Sequence, residues 1–315
     1  MAERIKNFML DFSVAGLSSI IAKTVAAPIE RTKLILQVQD SASQVLEGKT
    51  KKCTGIINCL LKITKEQGFF SLYRGNATNI IRYFPMQSLN FAFNEQFSSL
   101  FVRLIGADSL RKRFVVKSLS GGCAGALTVT ILFPLEFCLT RIATDMGGEL
   151  QREFQGLRDC FKKIMKKDGY RGFYYGYKMS VTGVALYRSL YFGLYDFVMY
   201  AWKTHTRSTK VSHPILTKLC LAQGVIIVAS LSVYPLDTAS RRKMLDSGKP
   251  SHLRLYKNNR DVYRTIYKKE GILGFYKGGL ANCVRGMSGA IVLVMYDEIV
   301  HYIKVNKWIT GCDNC

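Results

Sequence analysis

The sequence predicts an all-α membrane protein of six transmembrane helices in three repeats. Two observations carry this prediction. First, a proline near the end of an apolar run, followed two residues later by an acid, occurs at Pro28, Pro134 and Pro235. The separations, 134 − 28 = 106 and 235 − 134 = 101, indicate a repeat protein. Second, six apolar runs alternate with basic connectors, and in a soluble helix each proline would cost about 3 kcal/mol.

The apolar runs have the length and composition of membrane spans. Ser118–Leu135 and Leu219–Leu236 carry no charge, and Phe12–Pro28 carries only Lys23. Each is close to the roughly 20 residues that cross a bilayer. The alternative is a set of buried helices in a large soluble core, but 48% hydrophobic residues combined with a net charge of +23 favour a membrane.

The basic composition fits nucleic acid, anionic lipid or an anionic small substrate. No zinc-finger spacing or RNP-like motif is present, and the basic residues lie between apolar runs, so no nucleic-acid partner is predicted. No Ser/His/Asp set, metal-ligand cluster or P-loop appears, so the protein is predicted not to be an enzyme. Cys312 and Cys315 form half of a zinc motif without a second half, and no metal site is predicted.

Each repeat has one plan: a span with a proline near its end, a basic loop, a short amphipathic helix and a second span. The predicted repeats cover residues 1–108, 109–208 and 209–315. The predicted spans are 9–38, 76–100, 115–143, 178–202, 214–242 and 276–304. The short helices end at Gly68, Gly169 and Gly271, because glycine adopts the positive φ of a helix stop.

Cations inside the predicted spans indicate a central anion site, because charges in a membrane usually face a cavity. These cations are Lys23, Arg82, Arg188 and Arg285. Counted from the glycine that ends each short helix, 82 − 68, 183 − 169 and 285 − 271 all equal 14. Arg82, Gly183 and Arg285 are therefore threefold equivalents and should lie at one depth. The alternative is that the arginines snorkel to lipid headgroups.

Two cations opposite a glycine suit a substrate with a compact polyanionic end and a flat apolar end. Arginine clamps phosphate oxygens bidentately, and Gly183-Val184 leaves a slot where an aromatic base can lie against backbone. Tyr187, Tyr191 and Tyr195 recur every fourth residue on one helix face. They form either a stacking wall beside the slot or ordinary core packing.

An aromatic-basic-glycine step adds a further threefold signal. It appears as Tyr73-Arg74-Gly75 and Tyr276-Lys277-Gly278, with Tyr174-Tyr175-Gly176 in the middle repeat. Together with the proline motifs, these steps resemble the mitochondrial carrier family over nearly the whole chain. Stretches such as SLNFAFNEQF, QREFQGL and RGMSGAIVLVMYDEI resemble its ADP/ATP carriers. The resemblance implies the carrier fold in the mitochondrial inner membrane: six tilted helices around a pseudo-threefold axis, with short matrix helices.

The resemblance further implies that adenine nucleotides are the substrates and that a central site opens alternately to either side. The substrate-binding residues that it implies are Lys23, Arg82, Asn90, Gly183, Val184, Tyr187, Arg188, Tyr191, Arg241 and Arg285. Bound cardiolipin is implied at Gly75, Gly156, Gly176 and Gly278. Asn258 stands where the family has glycine, which puts the lipid site of the third repeat in doubt. No other cofactor is predicted.

The resemblance also implies a matrix gate, in which the acid of each proline motif pairs with a base from a neighbouring repeat. The acids are Glu30, Glu136 and Asp237. The basic positions hold Lys33, Leu139 and Ser240. Arg141 and Arg241 lie two and one residues further on, and a helix turns them by about 200° and 100°. We therefore expect neither arginine to substitute for the missing base.

A second gate is implied on the cytoplasmic side, with Glu95, Asp196 and Asp297 as its acids. The family's bases would lie three residues later, where the chain has Ser98, Met199 and Val300. A buried ion left without its partner costs about 3–5 kcal/mol. We therefore predict that closing this gate is disfavoured and that the chain prefers the state open to the intermembrane space.

Two functional hypotheses follow. In the first, the protein exchanges adenine nucleotides by alternating access, as the implied substrate site favours. In the second, it is a carrier homologue that no longer cycles and serves as a structural subunit of a larger inner-membrane assembly, such as a respiratory complex. The missing gate cations favour the second hypothesis.

Overall fold

The computed structural model describes residues 2–106, 108–147, 152–206 and 214–286. Within these ranges, side chains are described except at 2–18, 110, 196, 203, 205, 206, 214–216, 218, 219, 251, 285 and 286. The described chain forms α-helices and short 3-10 helices, without strands. The long helices are α1 (Ala2–Val38), α4 (Asn76–Ile105), α5 (Leu110–Ala143), α7 (Tyr177–Thr206) and α8 (Pro214–Met244). The shorter ones are α2 (Ser43–Leu46), α3 (Ile56–Gln67), α6 (Leu157–Asp168), α9 (Asn259–Glu270) and α10 (Gly279–Gly286).

The long helices are long enough to cross a bilayer. The 30 residues of α4 span about 45 Å, against about 30 Å of hydrocarbon. Two described segments, Arg111–Ala143 and Cys220–Met244, are also apolar enough by composition. Helix α5 begins five residues before the predicted span, because the apolar pattern marks only the embedded part of a helix. Most of the predicted sixth span lies outside the described residues.

The three short helices repeat the same packing. Each buries two side chains one turn apart against the end of a long helix. The pairs are Cys59 with Ile63, Cys160 with Ile164, and Val262 with Ile266. Each helix ends at the predicted glycine, whose φ is +82° at Gly68, +65° at Gly169 and +69° at Gly271. The predicted helix stops are therefore confirmed.

Close packing of α5 against α7 depends on small residues, as is typical of membrane helices. A Cβ on Gly121 would overlap the ring of Phe192. A Cβ on Gly125 would lie 3.1 Å from Val184 Cγ1. Both glycines thus bring the α5 backbone against α7.

A second set of glycines joins the repeats into a ring. Gly75, Gly176 and Gly278 have φ values of +87°, +83° and +80° and precede helices α4, α7 and α10, respectively. Added Cβ atoms would lie 3.2, 2.5 and 2.9 Å from atoms of Leu139, Ser240 and Lys33, respectively. These are the three basic positions of the proline motifs, so each repeat contacts the next in one register.

The first and third repeats, which no short segment of chain connects, are held by an ion cluster around Asp40. The Asp40 carboxylate lies 2.6 Å from Lys277 Nζ and 2.7 Å from Lys52 Nζ. Lys277 also pairs with Glu270 at 2.7 Å. Burial disfavours the Asp40 carboxylate, but hydrogen bonds from Lys277 and Lys52 outweigh it and lower its pKa from 3.8 to about 2.

Asp40→Asn should destabilise the folded protein by about 1–3 kcal/mol, because it removes the charged acceptor of buried hydrogen bonds. Since the folded-state pKa lies below the ordinary value, this stabilisation is complete above about pH 4 and lost as the pH falls towards 2. The difference in melting temperature between the variant and the wild type should therefore be constant from about pH 5 to 8. Asp108→Asn is the control, because its pair with Lys112 is exposed and contributes little.

Candidate functional site

A cavity of about 330 Å³ lies between the long helices, lined from α1, α4, α5, α7, α8 and α10. The predicted substrate-binding residues that line it are Lys23, Arg82, Gly183, Val184, Tyr187 and Arg241. The cations and the glycine-valine step therefore face one space. Arg82 does not snorkel to lipid headgroups, because its guanidinium pairs with Glu136 inside the cavity.

Three other predicted substrate-binding residues lie elsewhere in the described chain. Arg188 packs on α5, with its Cγ 3.4 Å from a Cβ placed on Gly125. Tyr191 stacks behind Tyr187, with ring centroids 6.2 Å apart. Asn90 has a buried Nδ2 without a hydrogen-bond partner in the described chain. The side chain of Arg285 lies outside the described residues.

The three acids of the proline motifs are held in a continuous network at the short-helix end of the cavity. Lys33 Nζ lies 3.1 Å from Asp237 Oδ2, Arg241 lies 2.9 Å from Asp237 and 3.0 Å from Glu136, and Arg82 lies 3.0 Å from Glu136. Asn79 joins Arg82 to the remaining acid. We call this network the gate ring, and it consists of Glu30, Asn79, Arg82, Glu136, Arg241, Asp237 and Lys33.

The prediction that Arg241 cannot replace a missing gate base is wrong. Its guanidinium bridges Glu136 and Asp237 and also donates to Thr140 Oγ1 at 2.9 Å. A 100° turn moves a Cβ only a few ångströms, because helix Cα atoms lie about 2.3 Å from the axis. The long arginine side chain covers that distance. Glutamate at position 136 also reaches one methylene further than aspartate would.

The same prediction holds for Arg141. Its guanidinium donates to the carbonyl oxygens of Leu245 and Ser247, at 3.0 and 2.9 Å, and pairs with Glu153. Arg141 therefore ties the second repeat to the loop after α8 and takes no part in the gate ring. A 200° turn places it on the opposite side of the helix, beyond the reach of its side chain.

Glu30 has no base from another repeat in the described chain, since Leu139 occupies that position. Asn79 donates to its carboxylate at 2.6 Å, and Lys23 lies 3.5 Å away on the same helix. The sequence prediction missed Asn79. The sequence does contain a signal for it: counted from the glycine that ends each short helix, 79 − 68, 180 − 169 and 282 − 271 all equal 11. The three equivalents, Asn79, Ser180 and Asn282, are small polar residues that line the cavity.

Comparison with known proteins identifies the family to which the sequence is similar. The chain matches the family described as mitochondrial carrier protein over residues 5–104, 111–206 and 212–307. This protein belongs to the mitochondrial carrier family. It is 44% identical to ADP/ATP translocase 3 of Bos taurus, over 95% of this chain and 99% of the relative. It is 43% identical to ADP/ATP translocase 3 of Homo sapiens over the same shares. ADP/ATP translocase 4 of Homo sapiens is 41% identical, over 95% of this chain and 93% of that protein.

Membership of the mitochondrial carrier family makes the protein a transporter and not an enzyme, and its helical repeats have the carrier fold. The predicted cytoplasmic gate lies mostly outside the described side chains, which include neither Asp196 nor Asp297. Glu95 is exposed on α4. The predicted preference for one open state remains a prediction.

A cationic groove lies between the start of α7 and the start of α9. It is lined by Gly176, Lys178, Arg254, Lys257 and Asn258, among others. Asn258 has φ −139° and ψ 176°, which is extended backbone that any residue adopts. Asparagine at this position therefore causes no backbone strain, and the lipid site of the third repeat stays a prediction.

Proposed function

We propose that this carrier exchanges adenine nucleotides across the mitochondrial inner membrane by alternating access. The observation that carries the proposal is the cavity, which combines Lys23, Arg82 and Arg241 with the Gly183-Val184 step and the ring of Tyr187. Cations of this kind suit a phosphate chain. The glycine-valine step and the aromatic ring suit a flat base.

The relatives named ADP/ATP translocase support this substrate class, since the chain covers nearly their whole length. The gate ring supports a cycling carrier rather than a degenerate one. The sequence shows two of three basic positions lost, yet each of the three acids has a cationic or hydrogen-bonding partner. The loss of signature bases at the matrix end therefore gives no reason to expect a carrier that cannot close there.

We also propose that an anionic lipid such as cardiolipin occupies the groove beside Gly176. Its cations suit two phosphates of one headgroup, and the glycine brings backbone to the groove wall. This lipid would join the second repeat to the third, because the groove includes residues of both.

The proposal is tested by reconstitution into liposomes loaded with ADP, with uptake of labelled ATP as the measurement. Wild-type protein should take up ATP only when ADP is inside. Arg82→Ala should reduce uptake at least about tenfold, because one charge-assisted clamp on phosphate is lost. Lys112→Ala, which changes an exposed cation at the start of α5, is the matched control and should leave uptake within about twofold. Liposomes with and without cardiolipin test the lipid proposal, and uptake should be higher with it.

Uptake that is absent from folded wild-type protein, with and without cardiolipin, would contradict nucleotide exchange. Folding is checked separately by the cooperativity of thermal unfolding in detergent. Native electrophoresis then gives the alternative outcome. Migration within a larger assembly, together with absent uptake, would instead support the structural role.

A further inference from the structure

The boundaries between the three repeats, which we call seams, carry different side chains at equivalent positions. The groove beside Gly176 lies at the seam between the second and third repeats, and its lining includes Arg171, Lys178 and Arg260. Counted from the glycine that ends the short helix of the same repeat, these three lie at +2, +9 and −11, since 171 − 169 = 2, 178 − 169 = 9 and 260 − 271 = −11. The same offsets identify their equivalents at the other seams.

At the seam between the third repeat and the first, all three equivalents are aliphatic. They are Leu273, Leu280 and Ile57, because 273 − 271 = 2, 280 − 271 = 9 and 57 − 68 = −11. Their side chains are 81%, 73% and 74% exposed. This seam therefore presents large apolar side chains to the surroundings where the next one presents three cations.

The same contrast continues along the short helices. Leu61 lies one turn after Ile57 on α3 and is also exposed. The equivalent residues of α6 and α9 are Lys162 and Arg264. One side of α3 is thus aliphatic where the other two short helices are basic.

The aliphatic surface also continues into a predicted membrane span. Leu280 lies at the start of α10, and Val284, one turn later on that helix, is exposed as well. Residues four apart lie on one face of a helix. We call this surface the seam patch, and it consists of Ile57, Leu61, Leu273, Leu280 and Val284.

Two cations beside the seam patch already have acidic partners. Lys277 lies 2.6 Å from Asp40 and 2.7 Å from Glu270, and Lys52 lies 2.7 Å from Asp40. Lys51 is exposed and leaves one cation at this seam. The seam patch therefore suits an anionic headgroup less well than the cationic groove does.

We propose that the seam patch lies among the acyl chains of the leaflet on the short-helix side, so that the carrier tilts towards this seam. Aliphatic side chains gain free energy by leaving water, whereas cations remain beside headgroup phosphates. Equivalent positions lie at one depth in the bundle, so a tilt is what places one seam in hydrocarbon and the next at the headgroups. This inference rests on a carrier fold in a membrane and goes beyond the proposed function, because it does not depend on the transported substrate.

The composition of the seam patch favours lipid over a protein as its occupant. Protein interfaces are enriched in aromatic residues, methionine and arginine. The seam patch has only isoleucine, leucine and valine. It is also continuous with the face of α10, a helix that a mitochondrial carrier places in the bilayer. Acyl chains therefore reach the seam patch without a further partner.

The test measures tryptophan fluorescence in vesicles of phosphatidylcholine with bromine in the middle of its acyl chains. Bromine quenches tryptophan at short range, so quenching reports contact with the chains. The native tryptophans are first replaced, as Trp202→Phe and Trp308→Phe. Leu280→Trp and Lys178→Trp then place one probe at two equivalent positions. Relative to unbrominated vesicles, quenching should be at least about twofold stronger for Leu280→Trp, because an apolar face enters the acyl boundary.

A second matched pair makes the test independent of one site. Leu61→Trp on α3 is compared with Lys162→Trp on α6, and the same difference is expected. Because each pair carries the same probe, the preference of tryptophan for membrane interfaces acts equally on both members. Cooperative thermal unfolding shows that each variant is folded.

The outcomes separate this inference from nucleotide exchange. Stronger quenching at the patch position of both pairs supports the tilt, whether or not the liposomes exchange ADP for ATP. Equal quenching within either pair overturns it. Weak quenching of Leu280→Trp and Leu61→Trp, with the emission of a water-exposed indole, also overturns it and leaves the seam patch to a protein partner. None of these results bears on exchange, which the uptake assay decides.

Discussion

Arg241→Ala is expected to destabilise the protein by about 3 kcal/mol, the lower end of the range for a buried ion pair that loses one partner. Arg241 contacts two acids of the gate ring, at 3.0 Å from Glu136 and 2.9 Å from Asp237. The side chains of Arg241 and Glu136 are 14% and 18% exposed, so water screens this pair weakly, whereas the Asp237 side chain is 33% exposed. The lower end applies because each acid keeps one other cation.

The measurement is thermal unfolding in detergent, followed with a thiol-reactive dye that labels cysteines as they become exposed. Cys138 and Cys160 are fully buried in the folded protein and provide the signal. A fall of roughly 6 °C or more in the midpoint is expected. Arg241→Lys should recover about half of it, since an ammonium keeps the charge but cannot bridge both acids with a planar fork. An unchanged midpoint for Arg241→Ala would contradict the gate ring.

Gly176→Ala should be at least as damaging, with a loss of about 3 kcal/mol or more. The backbone at this position has φ +83°, which costs about 1–3 kcal/mol for a residue with a side chain. The added Cβ would also lie 2.5 Å from the carbonyl oxygen of Ser240. Because that oxygen is backbone of α8, relief requires the second and third repeats to move apart, at a further cost of about 1–3 kcal/mol.

The control is Gly224→Ala, which lies inside the long helix α8. Within the described chain, no neighbouring atom lies within 4 Å of a Cβ there, and its φ is not in the positive range. Alanine favours a helix over glycine by about 1 kcal/mol, so the control should melt at or above the wild-type temperature. The same dye-labelling assay checks both variants. Equal melting of the two variants would show that the glycine at position 176 does not join the repeats.

Much of the fold follows from the sequence because its signals are local and repeated. The proline motifs, the glycines that end the short helices and the apolar runs each depend on a few neighbouring residues. The glycine at the end of α3 predicts its own positive φ, and the structure has it there. Helix ends are predicted less well, because helices such as α5 continue beyond the membrane-embedded stretch.

The gate could be predicted only in part, because the length and bending of a side chain are not contained in a helical projection. The projection correctly excludes Arg141 and wrongly excludes Arg241. Asn79 was missed because a single polar residue in a span resembles ordinary packing until its two equivalents are aligned with it. Asp40 was missed because its partner Lys277 lies 237 residues further along the chain.

The contacts between the first and third repeats are expected to form late in folding. Lys33 meets Asp237 over a separation of 204 residues, and Ser41 meets Tyr256 over 215. Contacts of such separation form after local ones, because closing a long loop costs conformational entropy first. A nascent chain that has made only two repeats thus holds Lys33 in a membrane without its partner Asp237. The last third of the polypeptide therefore closes an open arc of helices into a ring.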